Sequence, residues 1–258
     1  LPGSTLKPFL YAMALERGTS PSDLMADVPV SYVHSDGAVW SPHDHDLQYR
    51  GPVRLREALA SSLNIPAVRL LDDIGSDLFL QRLRAAGFNE LTQNSDVYGL
   101  GLVLGDAPVR LTSLVAAYAT LARGGIYLPL TLVPREAQPI KVFDESATRL
   151  IADILSDRNA RALTFGRGGT LRLPFPVAVK TGTSTDHRDS WCVGYTPDWT
   201  VGVWVGNMAG GSMGNLWGLQ GAAPVFRKVM EGLHKDHSPS WYAPPPGYVR
   251  QDVCPLSG

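Results

Sequence analysis

Two residues near the start of the chain, Ser4 and Lys7, have the types and the spacing that nucleophilic catalysis requires. Residues three positions apart lie on one face of a helix, so the Ser4 hydroxyl and the Lys7 amine can come within hydrogen-bonding distance. A hydroxyl beside a neutral amine is a nucleophile beside its base, provided that burial and a nearby cation lower the pKa of the lysine. The pattern is a weak signal alone, because helix caps and surface residues produce it by chance.

A second candidate pair is Ser62 and Asn64, in the only Ser-x-Asn sequence of the chain. The pair lies at a predicted junction between two helices, where side chains can point into a cleft. Ser62 can pass a proton to a departing nitrogen, and Asn64 can hold the amide of a substrate. The competing interpretation is a helix C-cap, and the presence of the other patterns favours catalysis.

The only Lys-Thr-Gly sequence begins at Lys180, in a run of residues that predicts a β-strand. Lys180 can supply a positive charge that favours a neutral Lys7. Gly182 lacks a side chain, so we expect a substrate strand to approach this edge of the sheet. The hydroxyls of Thr181 and Thr183 can bind a terminal carboxylate.

Two backbone N–H groups are candidates for an oxyanion hole, which binds the charge that develops on a carbonyl oxygen under attack. The first belongs to Ser4, because a helix that begins at Gly3 or Ser4 leaves its first N–H groups unpaired at its positive end. The second belongs to Thr183, at the end of the predicted strand. These residues together predict an acyl-transfer site.

The three patterns occur together in penicillin-binding proteins and in class A β-lactamases. Over nearly its whole length, the chain resembles the transpeptidase domain of the class A, bifunctional penicillin-binding proteins, most of all their 1C type. The resemblance is specific, because the matching segments follow the order found in that family. They are residues 2–9, 51–68, 102–124, 180–184, 188–191 and 194–195.

The resemblance implies an α+β fold of the penicillin-binding protein and serine β-lactamase type, with an antiparallel sheet flanked by helices and a helical subdomain. The family builds part of that sheet from strands that precede the nucleophile helix. Since only three residues precede Ser4 here, we expect those strands to come from another segment of the polypeptide, with a glycosyltransferase domain and a membrane anchor. Residues 1–237 are predicted to form the transpeptidase domain, and the proline-rich residues 238–258 a C-terminal extension or linker.

The activity that the resemblance implies is D,D-transpeptidation of peptidoglycan stem peptides that end in D-Ala-D-Ala. Ser4 attacks the penultimate carbonyl, D-Ala leaves, and an amine of a neighbouring stem resolves the ester; β-lactams acylate the same serine. Two alternatives stay open: a D,D-carboxypeptidase or β-lactamase-type hydrolase, and a non-catalytic β-lactam sensor. Neither a cofactor nor a metal is expected, and residues 43–46, His-Asp-His-Asp, are interpreted as a solvated loop.

Composition narrows the partners and the compartment. The chain has 258 residues, 44% of them hydrophobic, and a formal net charge of −1, which suits one large globular domain and gives no bias towards nucleic acid. It contains no run of about 18 consecutive apolar residues, so we expect no membrane span here. The expected partners are peptidoglycan stem peptides, β-lactams and the upstream part of the same polypeptide, in the cell envelope at the periplasmic or extracytoplasmic face of the inner membrane.

The helices and strands that must position these residues are predicted from the hydrophobic periodicity of the sequence, and their ends from glycines and prolines. Residues 19–52 predict a long surface excursion with one short strand at 28–30. Antiparallel strands are predicted at 176–183, 190–196 and 199–207. Helices are predicted at 4–17, 53–61, 65–73, 77–86, 111–123, 145–156 and 222–234. A helix, a helical block, a sheet and a closing helix together make an α+β protein.

Overall fold

The computed structural model describes residues 1–33, 37–133, 136–166, 168–184, 188–212 and 218–254. Two 3₁₀ segments, Gly3–Leu6 and Gly99–Leu104, accompany the α-helices. The α-helices in these ranges are α1 (Lys7–Glu16), α2 (Leu55–Ala60), α3 (Asn64–Ile74), α4 (Ser76–Ala85), α5 (Ser95–Tyr98), α6 (Leu111–Ala122), α7 (Glu145–Ser156), α8 (Ala162–Phe165) and α9 (Ala222–Leu233).

The strands form one main sheet and three small ribbons. β1 pairs with β4, β2 with β3 and β5 with β6, each antiparallel, while the main antiparallel sheet has the order β7-β8-β9. Lys180 of β7 lies opposite Val193 of β8, and Trp191 of β8 lies opposite Trp204 of β9. The strand bounds are β1 (Leu24–Asp27), β2 (Tyr32–Val33), β3 (Val39–Trp40), β4 (Gly51–Arg54), β5 (Ile126–Tyr127), β6 (Ile140–Lys141), β7 (Ala178–Thr183), β8 (Asp189–Tyr195) and β9 (Thr200–Gly206).

Helix α1 forms the centre of the core. Its residues from Lys7 to Leu15 are all buried, as expected for a helix that is apolar on every side. The ring of Phe9 contacts Phe88, Tyr118 and Phe143, with ring centroids 5.4–6.2 Å apart. Replacing Phe9 with alanine would cost about 3–5 kcal/mol by creating a cavity here.

The main sheet is covered on both faces, because successive side chains of a strand point to opposite sides. Trp191 and Tyr195 of β8 join the core around α1 on one face. Cys192, between them in sequence, joins Phe226 and Met230 of α9 on the other face. Strand β7, which lies next to β8 and carries the Lys-Thr-Gly sequence, is therefore held in place by helices on both sides.

The predicted α+β class is confirmed, and α7 has the bounds predicted for it. The prediction of a strand at 28–30 is wrong, because the residues that pair with other strands lie on either side of this segment, in β1 and β2. The helix predicted to begin at Val53 begins at Leu55, since Gly51–Arg54 pairs with β1 instead. Among the described residues β9 has no strand on its outer edge, and the expectation that an upstream segment completes the sheet stays a prediction.

The chain beyond α9 runs back over the helices. The Tyr242 hydroxyl donates a hydrogen bond to the carbonyl of Ala122, the last residue of α6, at 3.0 Å. The Arg149 guanidinium of α7 lies 5.1 Å from the centre of the Tyr242 ring. The predicted boundary at residue 237 is untested, and within the described ranges no helix is both long enough and apolar enough to span a membrane.

Candidate active site

Ser4 lies half-buried in the 3₁₀ turn Gly3–Leu6, just before α1. Thr5 closes this turn, since its N–H (3.4 Å) and its hydroxyl (2.9 Å) both donate to the Pro2 carbonyl. The buried Tyr118 hydroxyl donates to the Thr5 carbonyl at 2.7 Å. The predicted nucleophile therefore lies at the amino end of the most buried helix, on a turn held from both sides.

The backbone of β7 touches the nucleophile turn directly. A Cβ atom on Gly182 would lie 2.2 Å from the Pro2 carbonyl oxygen, and one on Gly3 would lie 2.5 Å from the Thr183 carbonyl oxygen. Gly3 also has a φ of 56°, which glycine adopts readily. The sequence predicts that the missing side chain of Gly182 gives a substrate strand access to this edge. This prediction is corrected, because the nucleophile turn itself occupies the space.

One of the two N–H groups predicted for the oxyanion hole, that of Thr183, lies at the edge of β7 that faces the nucleophile turn. The Ser184 N–H donates to the Asp189 carbonyl of β8 at 3.1 Å. Because N–H groups of an antiparallel strand alternate between its two edges, the Thr183 N–H points away from β8, towards the nucleophile turn. A Cβ atom on Gly3 would lie only 2.8 Å from the Thr183 nitrogen. The arrangement leaves the Thr183 N–H beside the residue that precedes Ser4.

Lys7 is fully buried, and its Nζ contacts the second predicted pattern at three oxygens. The distances are 2.7 Å to the Ser62 carbonyl, 3.0 Å to the Leu63 carbonyl and 2.6 Å to Asn64 Oδ1. All three oxygens only accept hydrogen bonds, so the arrangement suits the ammonium form of Lys7. The Ser4 hydroxyl has no hydrogen-bond partner among the described residues. The predicted Ser4–Lys7 contact is thus replaced, at rest, by contacts from Lys7 to residues 62–64.

Ser62 joins the two buried lysines. Its carbonyl accepts from Lys7, while its Oγ accepts from Lys180 Nζ at 2.7 Å. Lys180 Nζ also donates to the Thr181 carbonyl at 2.9 Å. Ser62 has a φ of 64°, a left-handed conformation that costs a residue other than glycine about 1–3 kcal/mol. This conformation presents the carbonyl to one amine and the hydroxyl to the other.

Burial lowers the pKa of both lysines. That of Lys7 falls to about 7, although the Asp44 carboxylate opposes the shift. That of Lys180 falls well below its ordinary value, because burial and the charge of Lys7 act in the same direction. The sequence predicts a positive charge on Lys180 and a neutral amine on Lys7. At rest the structure favours the reverse, since Lys7 has three acceptors and a nearby carboxylate, whereas Lys180 has two neutral acceptors.

A buried carboxylate that the sequence did not reveal lies beneath the second pattern. Asp44 is only 3% exposed, and its Oδ1 accepts a hydrogen bond from the Asn64 backbone N–H. The His43 carbonyl accepts from Asn64 Nδ2 at 2.9 Å, which leaves Oδ1 of that amide facing Lys7. The prediction of a solvated loop at 43–46 is wrong at Asp44, because the first N–H groups of α3 need an acceptor.

A second buried carboxylate, Asp27, lies beside Asp44 and shares Arg50 with it. The Arg50 backbone N–H donates to Asp27 Oδ2 at 3.0 Å, and Arg50 Nη1 lies 3.4 Å from Asp44 Oδ2. Burial and the charge of Asp44 raise the pKa of Asp27 to about 6. A layer of acidic residues therefore underlies the layer that contains the two lysines.

The threonines of the third pattern face the segment that begins at Gly218. The Gly218 N–H donates to Thr183 Oγ1 at 3.1 Å, and a Cβ atom on Gly218 would lie 3.1 Å from the Thr181 Cβ. Thr181 is only 8% exposed. The Thr183 hydroxyl keeps its proton available for a ligand, since it acts as an acceptor in this contact.

Residues 1–231 match the model of the family described as the penicillin-binding protein transpeptidase domain. Penicillin-binding protein 1C of Escherichia coli (strain K12) is 34% identical over 232 residues, which cover 88% of this chain and 29% of that protein. Penicillin-binding protein 1A of Neisseria meningitidis is 29% identical over 268 residues, which cover 96% of this chain and 33% of that protein. The chain thus spans about a third of the length of these curated relatives.

Solved structures are similar over almost the whole chain. Penicillin-binding protein 1A from Haemophilus influenzae has a TM-score of 0.85 at 22% identity, over 99% of this chain and 45% of that one. The PonA1 protein from Mycobacterium tuberculosis, in complex with penicillin V, has a TM-score of 0.77 at 24% identity, over 94% of this chain and 72% of that one. At these identities the similarity is one of fold, and it confirms the predicted fold type.

Proposed function

Because the chain belongs to the family of penicillin-binding protein transpeptidase domains, we propose that it is a D,D-transpeptidase that forms an acyl-enzyme on Ser4. The observation that carries the proposal is the convergence of two buried lysines on one short segment, with Lys7 on the Ser62 carbonyl and Lys180 on the Ser62 hydroxyl. Neighbouring buried amines are unfavourable for folding, so their presence favours a catalytic purpose.

Acylation would begin with attack of Ser4 Oγ on the penultimate D-Ala carbonyl carbon. A neutral Lys7, which a pKa of about 7 makes available near neutral pH, takes the hydroxyl proton. The N–H groups of Ser4 and Thr183 stabilise the oxyanion of the tetrahedral intermediate. When the C–N bond breaks, the Ser62 hydroxyl gives its proton to the leaving D-Ala nitrogen, and a neighbouring lysine reprotonates Ser62.

Deacylation would repeat these steps in reverse with a different nucleophile. An amine of a second stem peptide attacks the ester carbonyl, loses a proton through Ser62 and the lysines, and leaves as the new amide. Oxygen Oγ of Ser4 is the leaving group and recovers its proton from Lys7. A β-lactam would acylate Ser4 by opening its own amide bond.

Substrate binding would use the remaining residues of the three patterns. Asn64 Nδ2 and the edge of β7 would bind the backbone of the stem peptide. Lys180 and the hydroxyls of Thr181 and Thr183 would bind the terminal carboxylate, because a charged acceptor strengthens each of these hydrogen bonds. No cofactor or metal takes part in this reaction.

The setting of the reaction is also a proposal. We place the domain in the cell envelope, at the periplasmic or extracytoplasmic face of the inner membrane, with peptidoglycan stem peptides and β-lactams as ligands. Residues 1–237 would form the transpeptidase domain and 238–258 an extension. The upstream part of the polypeptide would supply further strands, a glycosyltransferase domain and a membrane anchor.

The test is intact-mass spectrometry after incubation with benzylpenicillin. We expect the wild-type protein and Ser20→Ala, a variant of a serine outside the site, to gain the mass of one penicillin. Ser4→Ala should gain none. Equal labelling of Ser4→Ala and the wild type would reject Ser4 as the nucleophile.

Turnover separates the transpeptidase from its alternatives. With a D-Ala-D-Ala peptide and a D-amino acid as acceptor, a transpeptidase releases D-Ala and forms the exchanged peptide. A carboxypeptidase releases D-Ala without exchange, and a sensor binds penicillin but does neither. Only the first outcome supports the proposed function.

A further inference from the structure

Three side chains of the kind that bind metal ions meet where α9 ends. They belong to Asp198, His234 and His237, and one ligand atom of each lies within 4.8 Å of the other two. His234 directly follows α9, and Asp198 lies in the turn that joins β8 to β9. Within the described ranges, no other three His, Cys, Asp or Glu side chains are close enough to share an ion.

His234 is nearly buried, yet only one of its ring nitrogens has a partner. His234 is only 5% exposed, and its Nε2 lies 3.0 Å from the Thr196 hydroxyl. In the part of the chain that the structure describes, Nδ1 is buried and has no hydrogen-bond partner. Buried polar atoms of folded proteins almost always have partners, so this nitrogen requires an explanation.

The contact with Thr196 is of the kind that supports a metal-binding histidine. Such a histidine usually donates its second ring N–H to an oxygen, which fixes the tautomer and the orientation of the ring. In the tautomer that binds a metal through Nδ1, the Nε2–H of His234 donates to Thr196 Oγ1, which also accepts from the Asp198 and Trp199 N–H groups at 3.3 and 3.2 Å.

We propose that Asp198, His234 and His237 bind a zinc ion, with water as the fourth ligand. Two imidazole nitrogens and one carboxylate oxygen suit Zn²⁺, whereas Mg²⁺ and Ca²⁺ prefer oxygen ligands throughout. Ligand atoms arranged tetrahedrally about zinc lie roughly 3.3 Å apart, so the observed distances require a small inward movement. His237 and Asp198 have exposed side chains and can make that movement, since 3.8 Å now separates His237 Nε2 from Asp198 Oδ2.

The proposed ion would have a structural role. It would tie the carboxyl end of α9 to the β8–β9 turn, and α9 packs against both of these strands. The Phe175 ring, 4.8 Å from the His234 ring, covers the site on one side. The sequence predicts no metal site, and none of these three residues belongs to the patterns used for acyl transfer.

The competing explanation is an ordinary surface ion pair between His237 and Asp198. It accounts for their proximity but leaves Nδ1 of His234 without a partner. The two explanations differ in what a zinc titration shows. A surface ion pair binds no zinc, whereas the proposed site binds one ion per chain.

The test is isothermal titration of the metal-free protein with zinc chloride in a buffer that does not chelate zinc. We expect one zinc ion per chain and a higher melting temperature with zinc, because an ion that binds only the folded state stabilises it. His237→Ala alters an exposed residue, so it should fold normally, as circular dichroism can verify. Its zinc affinity should fall by roughly 10-fold or more.

The double variant His43→Ala/His45→Ala is the matched control, since it removes two histidines elsewhere and should bind zinc as the wild type does. Asp198→Asn should lose affinity as His237→Ala does. Undetectable zinc binding, or binding that is unchanged in His237→Ala, would overturn the proposal. Penicillin labelling should be the same with and without zinc, so the result is independent of the function proposed for Ser4.

Discussion

Two regions around the nucleophile turn are built by different interactions. On the strand side, where the turn contacts β7, the contacts join backbone to backbone, and neither Gly182 nor Gly3 has room for a side chain. In the second region, which we call the lysine layer and define as Lys7, Lys180 and Ser62, polar side chains and carbonyls make the contacts. The strand side therefore fixes the position of Ser4, while the lysine layer fixes where its proton can go. Substitutions in the two regions should fail in different ways.

The largest effect is expected in the lysine layer. Lys7→Met keeps the length and the apolar stem of the side chain but removes the amine, so acylation by penicillin should slow by roughly 10³-fold. The fold should persist, with a loss of about 1–3 kcal/mol because the carbonyls of residues 62 and 63 lose their donor. Stopped-flow measurement of acylation with a fluorescent penicillin checks the rate, and urea unfolding checks the stability.

Lys141→Met is the control for Lys7→Met, since the Lys141 side chain is 66% exposed and forms an ion pair with Asp144, away from the site. It should acylate at the wild-type rate. A Lys7→Met variant that acylates within about 10-fold of the wild type would remove Lys7 from the role of base.

A smaller loss of activity, coupled to a loss of stability, is expected on the strand side. In Gly182→Ala the new methyl group would lie 2.2 Å from the Pro2 carbonyl oxygen, so the turn must move. A displacement of about 1 Å at the nucleophile costs about 10²-fold in rate. Acylation and thermal unfolding, measured on the same sample, should both be impaired.

Gly232→Ala is the matched control for Gly182→Ala, because no atom lies within 4 Å of a Cβ atom built there and Gly232 lies within α9. It should stabilise the protein by about 0.5–1 kcal/mol and leave acylation unchanged. Wild-type acylation by Gly182→Ala would show that the contact with Pro2 does not position Ser4.

A still smaller effect is expected for the acidic layer beneath the lysines. Asp44→Asn keeps an acceptor for the Asn64 N–H but removes the carboxylate that raises the pKa of Lys7. The pKa of Lys7 should fall, so the acylation rate at pH 6 should rise by roughly 3-fold relative to its plateau. Asp46→Asn, two residues away and more exposed, should leave the profile unchanged; an unshifted profile in Asp44→Asn would contradict the coupling.

Asp27 should affect stability and leave acylation almost unchanged. Its folded pKa, about 6, is above the ordinary aspartate value of 3.8, so its protonated form stabilises the folded state at low pH. That contribution is complete below about pH 4 and is lost as the pH rises through 6. Asp27→Asn should therefore match the wild type near pH 4 and exceed it by about 1–3 kcal/mol at pH 7.5. Urea unfolding measures the free energy of unfolding of both proteins at both pH values. If the Asp27 carboxyl does not cause the pH dependence, the difference between the variant and the wild type should be the same at both.

The helices and the main sheet were predictable because their signals are local. The apolar periodicity of residues 145–156, after the capping residue Asp144, determines α7 without reference to the rest of the chain. Strand β9, Thr200–Gly206, is likewise rich in the β-branched and aromatic residues that favour strands. The pairing of β1 with β4 was not predictable in this way, since it joins segments more than 20 residues apart and Gly51–Arg54 has no alternating pattern.

The predicted residues of the site were found by type and spacing, whereas their surroundings were not. Nothing local shows that Asp44, in a polar loop, lies beneath Asn64, because that contact depends on how α3 meets the loop. A weak signal was present in Arg50, whose spacing from Asp46 allows the loop to pair with itself. The reason for glycine at 182 could not be predicted either, since it depends on where the Pro2 carbonyl lies in the folded chain.

The most direct test of the account is the pH dependence of Ser4 acylation in the wild-type protein. If a buried Lys7 with a pKa of about 7 is the base, the acylation rate constant should rise with pH and level off above that value. A midpoint near 7 would confirm that burial lowers the pKa of Lys7 enough for its neutral amine to act as the base. A rate that is constant from about pH 5.5 to 9, or that rises only near the ordinary lysine pKa of about 10.4, would contradict it.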